Sequence, residues 1–536
     1  MKKIIALLLL CAFVLPLAAC DAADKITERV KSNIADIAEE FSDAGEIEEN
    51  TEPAAENSIN IGITGFDTFN PLLTKSETVR EAMQLVYEPL FETDEAMHTV
   101  PVLASGYSVS ADGLTYNITM KSGVLWHDGK TFDAYDAAYT IKQIISGITP
   151  YTDNLKDMAD YRAVSNDTLR IMLKRPVPQF AALLSFPIVR YQTAMTLNPS
   201  YAPVGTGAFE YKGKAGIDKY VLSSFELYHN GKASIDTVYI QNAPDAEQYR
   251  SMFEVSETDV ITSTNVDLTT YMPKGKSSFK DYVSNRLTFA GFNLYSSILA
   301  GTNTRAGIAK LIDKENIVET VLYSRGVASD IPVNPYSWLY YDTNTDFRGS
   351  RESALELFGN DGWGFNEDGY LQRTVNGRKE LLKLVILTDS ENSIKCGIAE
   401  KIKNDFEKCG IKAVIDSQPY EKYLQKVSSH SYDIFIGECD LGVNQDITPL
   451  AGSAGNYFSY QNQNLDALIS QAGMTQDEET LKEIYRQIGG IIQRDVPFVP
   501  LYYAKESVLI SNKIKSGIAP SVSRAFRVSN VWSVFE

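Results

Sequence analysis

The sequence predicts an α/β protein with more than one lobe, and three observations carry the prediction. From Glu380 onward, segments of strand character and segments of helical spacing alternate strictly. Residues 201–290 are strand-rich and punctuated by glycine. The body after Asn57 is also longer than one hydrophobic core sustains, which divides it into two or three lobes.

The elements follow in chain order. The chain opens MKKIIALLLLCAFVLPLAACD, with two lysines, an apolar run over residues 4–19 and small residues before Cys20. That run is short for a spanning helix, and its flanks predict a secretory signal over residues 1–19. Leu17-Ala18-Ala19-Cys20 resembles a bacterial lipobox, which implies cleavage before Cys20 and lipid on its sulfur. Two or more acyl chains hold such a product on a membrane stably. Ordinary secretion with Cys20 as an incidental thiol is the alternative, because small residues also suit ordinary cleavage. Residues 20–57 form an acidic tether: from Asp21 to Asn57 there are 12 acids, 3 bases and one aromatic, Phe41, too polar a composition to bury much surface. Within it Ile26, Val30, Ile34, Ile37 and Phe41 fall at helical spacing.

The body begins with a strand over 60–63 and a helix over 78–87 that Pro89 ends. An alternating strand over 115–121 leads through the turn His127-Asp128-Gly129 to a helix with Asp133 as N-cap and Asp136 in its first turn. Val260 and Ile261 form a short strand before the polar run Thr262, Ser263, Thr264 and Asn265. TRAGIAKLIDKENIVETVLY reads as two helices divided at Asp313. Beyond Glu380, strands over 381–387, 411–415 and 432–437 and helices over 393–408 and 420–428 make two successive βαβ units. Units of this kind hold ligands at the carboxyl ends of their strands, near a switch point in the sheet. At one such end, in SYDIFIGECDLGV, the chain places Glu438, Cys439 and Asp440. Two acids beside a thiol are costly there unless water, a partner or a ligand meets them.

Composition excludes several functions. A net charge of −19 argues against nucleic acid or anionic lipid as partner, since both need clustered positive charge. Of five cysteines, Cys11 and Cys20 belong to the leader and its junction. Cys396 and Cys409 fall near opposite ends of one helix, about 20 Å apart, so no disulfide framework is implied. The chain lacks His-Glu-x-x-His, Gly-x-Ser-x-Gly and Gly-x-x-x-x-Gly-Lys. His98, His127, His229 and His430 are widely separated, and the spacing of Asp361, Asn366 and Asp368 in NDGWGFNEDGYL does not suit a calcium loop. No catalytic residue, metal site or cofactor is predicted.

Four segments then carry a family resemblance: VYEPLFETDEAMHTVPVLASGYSVSADGLTYNITMKSGVLWHDGKTFDAYDAAYTI, PVGTGAFEY, TRAGIAKLIDKENIVETVLYSRGVASDIPV and VPFVPLYYAKE. In order and spacing they resemble the large extracytoplasmic solute-binding proteins of peptide-type ABC transporters, the oligopeptide- and dipeptide-binding family. The resemblance runs from about Ser58 to the C terminus. It implies a bilobed periplasmic-binding-protein fold with an extra subdomain and a cleft between lobes that the chain crosses twice. Lobe I would comprise residues 58–88, 203–288 and 505–536, the extra subdomain 89–202, and lobe II 289–504. The crossings would fall at TFAGFNL and FVPLYYA, and closure would bury ligand between the lobes.

The resemblance also implies site residues. Lobe I of the family contacts peptide backbone where this chain has Thr262, Ser263, Thr264 and Asn265; a capped turn is the alternative reading. Alternation sends one of Tyr502 and Tyr503 toward the cleft. Trp126 and Phe132 are expected to pack the subdomain. Peptide-binding members pair a carboxylate in the segment matching GECDLGV with the ligand's α-ammonium group; Asp440 is the first candidate and Glu438 the second. The peptide binders commonly carry tryptophan where Glu438 stands, which weakens the peptide assignment in particular.

The expected function is a monomeric, membrane-tethered receptor on the outer side of a bacterial cell membrane, which captures a peptide or similar small solute and delivers it to an ABC permease. The alternatives are a receptor for a non-peptide solute (a nickel complex, a sugar or an amine) and a ligand-sensing surface protein. A surface hydrolase needs a nucleophile–base pair or metal cluster that the sequence does not show, and a purely adhesive lipoprotein predicts no cleft.

Overall fold

Two long antiparallel strands, Ser277–Phe292 and Phe498–Ser511, run through the middle of the protein and organise everything around them. The computed structural model describes residues 57–263, 277–342, 349–454 and 456–535. The expected signal, Cys20, the tether up to residue 56, Thr264 and Asn265 lie outside the described residues. Among the described residues no helix is long and apolar enough to cross a membrane.

The main sheet has eleven strands among the described residues. Reading from one edge, Lys412–Gln418, Lys383–Asp389 and Ile434–Asp440 precede the two long strands, and Val260–Thr262, Ser58–Thr64, Thr237–Ala243, Lys219–Ser224 and Phe209–Lys214 follow them. The short strand Gly326–Ala328 pairs with Phe498–Ser511 off this path. Lys383–Asp389 is parallel to both of its neighbours. Its two crossover helices, Ser393–Lys408 and Tyr420–Ser428, have the bounds their apolar spacing predicts. Asn392 caps the first by accepting from Lys395 N at 3.0 Å.

The last strand of this unit differs from expectation. It spans Ile434–Asp440, so Glu438, Cys439 and Asp440 lie within it rather than past its end. The reason is a partner distant in sequence: Arg286, Leu287 and Thr288 register against Asp440, Cys439 and Glu438 and prolong the pairing beyond the parallel neighbour.

The subdomain is a four-stranded antiparallel sheet with strands Ala104–Val109, Thr115–Met120, Thr168–Leu173 and Met158–Ala163 in that order. Helix Ala134–Ser146 packs on it and starts in a capping box formed by Asp133 and Asp136. Trp126 and Phe132 are core residues of this part, as expected, and Trp126 Nε1 donates to Asp136 at 3.0 Å.

The motif PVGTGAFEY acquires a steric reason. Gly207 N donates to Val86 O at 2.9 Å, so this stretch lies directly against the end of the turn Met83–Leu85. A Cβ on Gly205 would stand 1.7 Å from Val86 O, and one on Gly207 would stand 2.5 Å from Leu85 O. Only glycine permits that approach.

The unit Glu56–Glu536 holds several separate cores. The largest gathers Ile61, Val86, Trp126, Leu222, Val508 and Phe526. Two others lie across the long strands, one around Leu287, Phe289, Tyr485 and Phe498, the other around Ala290, Ile402, Ile436 and Leu501. Between Val283 and Leu287 the long strands slip: Val283 pairs with Lys505 and Leu287 with Tyr503, so three intervening residues of one strand stand against one, Ala504, of the other. Ser284, Asn285 and Arg286 occupy this irregularity, flanked by Val283 and Leu287 of one and the same core.

Candidate functional site

A cleft of about 870 Å³ opens over this irregularity. Ser284, Asn285, Arg286, Tyr502, Lys505 and Glu506 from the long strands form its floor. Glu438 and Asp440 come from the adjoining strand, and Asn392, Ile394 and Lys395 from the start of helix Ser393–Lys408. The opposite wall carries Glu77, Asn154, Leu183, Ser185, Ser263 and Val522. The strand Lys383–Asp389 lies between Lys412–Gln418 and Ile434–Asp440, so the crossover that leaves it and the one that returns past it from Lys412–Gln418 run in opposite directions across the sheet. That is the switch-point geometry at which open α/β sheets form crevices.

The loop after Asp440 reaches across to the subdomain. Asn444 Nδ2 donates to Pro178 O at 3.0 Å and Gln179 Nε2 to Asn444 O at 3.2 Å. Arg175 bridges Asp157 at 2.8 Å and Asp446 at 3.3 Å.

Strand alternation sorts the expected residues into two sets. In an antiparallel pair, residues opposite one another share a face. Arg286 is opposite Asp440, and Thr288 is opposite both Glu438 and Tyr502, so these five share one face. Glu438 and Asp440 are exposed to the cleft, and Tyr502 lines it while only 4% exposed. Burial pushes the Tyr502 phenol up to about 12, with Thr288 and Arg286 pulling it down and Glu438 pushing it further up.

Cys439 and Tyr503 occupy the other face. Both are buried in one core with Leu287, and neither lines the cleft. Burial pushes the Cys439 thiol up to about 12, and Asp440, Asp446 and Glu438 add to the effect; such a thiol is inert. Thr262 is also turned inward. Its hydroxyl donates to Glu81 at 2.5 Å and its N–H to the Tyr249 hydroxyl at 2.8 Å, so it serves internal packing. Ser263 does line the cleft, with its hydroxyl accepting from Ser507 N at 2.8 Å.

The cleft is electrostatically mixed, with four acids (Glu77, Glu438, Asp440, Glu506) and four bases (Arg286, Arg325, Lys395, Lys505) in its lining. Several are committed to one another. Arg286 donates to Glu506 at 2.8 Å, and Tyr282 donates to the other Glu506 oxygen at 2.7 Å. Burial works against the Arg286 charge, yet Glu506, Glu438 and Asp440 together more than offset it and hold the guanidinium above its usual range. Arg325 pairs with Asp281 at 3.3 Å and lies over the Phe279 ring at 4.8 Å. Asp440 accepts from Gly442 N at 2.7 Å, which fixes the turn but leaves its charge facing the cleft.

Arg286, Asn285, Lys395, Lys505 and Glu506 were not among the expected site residues. The start of helix 393–408 was open to the same argument that singled out Glu438 and Asp440, since it follows the carboxyl end of a parallel strand. Arg286 and Asn285 carried no such signal, because their place depends on a strand slip set by a distant partner.

The sequence model of the family described as "Bacterial extracellular solute-binding proteins, family 5 Middle" matches residues 98–464. Heme-binding protein A of Haemophilus influenzae is 25% identical over 492 residues, covering 83% of this chain and 87% of that protein. Oligopeptide-binding protein AppA of Bacillus subtilis is 23% identical over 499 residues, covering 86% and 89%. Among solved structures, a nickel ABC transporter protein from Bacillus halodurans superposes with a TM-score of 0.76 at 19% identity, covering 89% of this chain and 100% of that one.

Proposed function

Since the chain belongs to the bacterial extracellular solute-binding proteins of family 5, we propose that it is the substrate-binding component of an ABC importer, and that it takes peptides. It acts as a monomer tethered through lipid on Cys20, binds without chemistry, and hands its solute to a membrane permease. One observation carries this reading: a cleft floored by the two long strands, walled by elements of separate cores, with Glu438 and Asp440 facing it beside Lys395 and Lys505.

The proposed lobes are 58–88, 203–288 and 505–536 for lobe I, 89–202 for the extra subdomain and 289–504 for lobe II. The slip at Ser284–Arg286, where the pairing of the two long strands is interrupted close to the proposed crossings, supports a hinge in this region. Asp440 is proposed to take the ligand's ammonium group, with Glu438 second. Ser263 and Tyr502 are proposed contacts on the two sides.

A second reading is favoured by Glu438. A carboxylate stands where peptide-binding members commonly have tryptophan, and this suits a non-peptide amine or a cationic complex. The relatives named above for heme and nickel are in keeping with a wider ligand range on this fold.

Mass spectrometry of solute retained on gently purified protein separates the two. A mixture of peptides supports peptide import; a single recurring non-peptide species overturns it. Cys20→Ala tests the tether, and unchanged lipid labelling in that variant overturns it.

A further inference from the structure

The irregularity between the long strands holds a polar side chain that peptide recognition has not yet been assigned. Asn285 is 4% exposed, and its residue lines the cleft. Both acceptor positions of its Oδ1 are filled from inside the protein, by Asn334 Nδ2 at 3.0 Å and Gln445 Nε2 at 2.8 Å. Those donors are themselves held. Asn334 Nδ2 also reaches Val283 O and Ser284 O, each at 3.1 Å, and Asn334 N donates to Gln445 Oε1 at 2.8 Å. Asn334 and Gln445 are both fully buried.

This arrangement leaves no freedom in the amide. A flipped Asn285 would set its NH₂ against two donors, and unpaired buried donors are costly. The Asn285 NH₂ therefore has to face outward. It has no protein partner among the described residues, and it is not among the buried polar atoms left without one, so its open side is the cleft. Gln445 holds this lock from a left-handed backbone conformation, φ 52°, which persists only where the surroundings impose it.

We infer that Asn285 is a fixed hydrogen-bond donor that selects ligands bearing a carbonyl oxygen next to their cationic nitrogen, with Gln445 as its positioning residue. The inference rests on the peptide reading above and deepens it. Arg286 stands opposite Asp440, and Leu441 N donates to Asn285 O at 3.1 Å. Asn285 thus precedes the strand partner of Asp440 by one residue; alternation turns its side chain toward the core face with Val283 and Leu287, and its NH₂ edge reaches the cleft at the slip. An α-aminoacyl group presents an ammonium and a neighbouring carbonyl; a simple amine presents only the ammonium. A site built to donate a hydrogen bond rejects a ligand that lacks the acceptor more strongly than an apolar pocket rejects a misfit.

The test uses oligoalanines of two to six residues, and for the one that wild type binds most tightly, its counterpart with a thioamide at the first peptide bond. The thiocarbonyl is a weak acceptor of nearly the same shape. Titration calorimetry on wild type should show about tenfold weaker binding of the thioamide. Asn285→Asp keeps Oδ1 for Asn334 and Gln445 but turns the cleft-facing group from donor to acceptor. That variant should bind the parent peptide about 10- to 100-fold more weakly and no longer distinguish the two probes. Gln445→Glu removes the inward donor and frees the amide to turn. It should lose the same discrimination although it touches no ligand, and its melting temperature shows whether the fold is kept. Discrimination retained in Asn285→Asp, or absent in a wild type that binds the parent peptide, overturns the assignment alone. A wild type that binds none of the oligoalanines overturns the peptide reading and the assignment with it.

Discussion

Neutralising Asp440 is the sharpest perturbation of the proposed site. In the ligand-free cleft its carboxylate is exposed, so desolvation is costly only on closure, when a ligand ammonium offsets it. Removing one partner from a desolvated, hydrogen-bonded charge pair costs about 2–5 kcal/mol. Two features place this site at the lower end. Glu438 remains on the same face and still attracts a cation, and Glu506 keeps Arg286 occupied at 2.8 Å. Asp440→Asn should therefore weaken binding by about 2–3 kcal/mol, or roughly 30- to 160-fold. The variant should fold normally, because an asparagine oxygen can still accept from Gly442 N, the bond that Asp440 makes at 2.7 Å. Calorimetry with the oligoalanine that wild type binds, alongside a thermal melt, measures both. Equal affinities refute the reasoning and leave Asp440 an ordinary solvated strand residue. A loss seen only in Glu438→Gln moves the role two residues upstream.

Three further outcomes are expected. Glu88 is buried and accepts from Thr206 at 2.9 Å and Tyr228 at 2.8 Å, with His229 Nε2 at 2.9 Å; burial raises its carboxyl, but His229 and its other partners prevail and hold it below the usual range. Its stabilisation is therefore present above the unfolded carboxylate range and lost as pH falls through the lower folded value. Glu88→Gln should cost about 3–5 kcal/mol at pH 7, and the gap between variant and wild-type melting temperatures should narrow on acidification; a gap independent of pH counts against this role. Gly205→Ala should destabilise by about 3 kcal/mol or more, since the added Cβ meets backbone and not a movable side chain. Gly490→Ala is the control, in helix Glu478–Asp495 with open space at the Cβ, and should raise the melting temperature slightly; similar melting temperatures for the two variants refute the steric account. Cys439 should resist alkylation in the native protein while half-exposed Cys396 reacts, because the Cys439 thiol is buried and pushed up to about 12; rapid native labelling of Cys439 refutes its placement on the core face.

Local rules account for much of what the sequence determined. Helices 393–408 and 420–428 were legible from apolar spacing, and the Asp133 cap from one acid before a helical run, because those signals lie within a few residues of what they set. The family fold was legible because PVGTGAFEY and the blocks around it keep their order, and Gly205 shows the physical cause: a backbone approach that no other residue allows. The alternation of Glu438, Cys439 and Asp440 already separated the thiol from the acids, but not which face meets the cleft. Tertiary structure decided that, by pairing the strand with Arg286–Thr288 about 150 positions earlier in the chain. The pairing of the two long strands likewise chose Tyr502 over Tyr503 for the cleft, past a strand slip with no local signature. It also put Asn285 within 2.8 Å of Gln445, 160 residues away. A side chain's partners across a sheet are set by register, and register is a property of two distant segments at once.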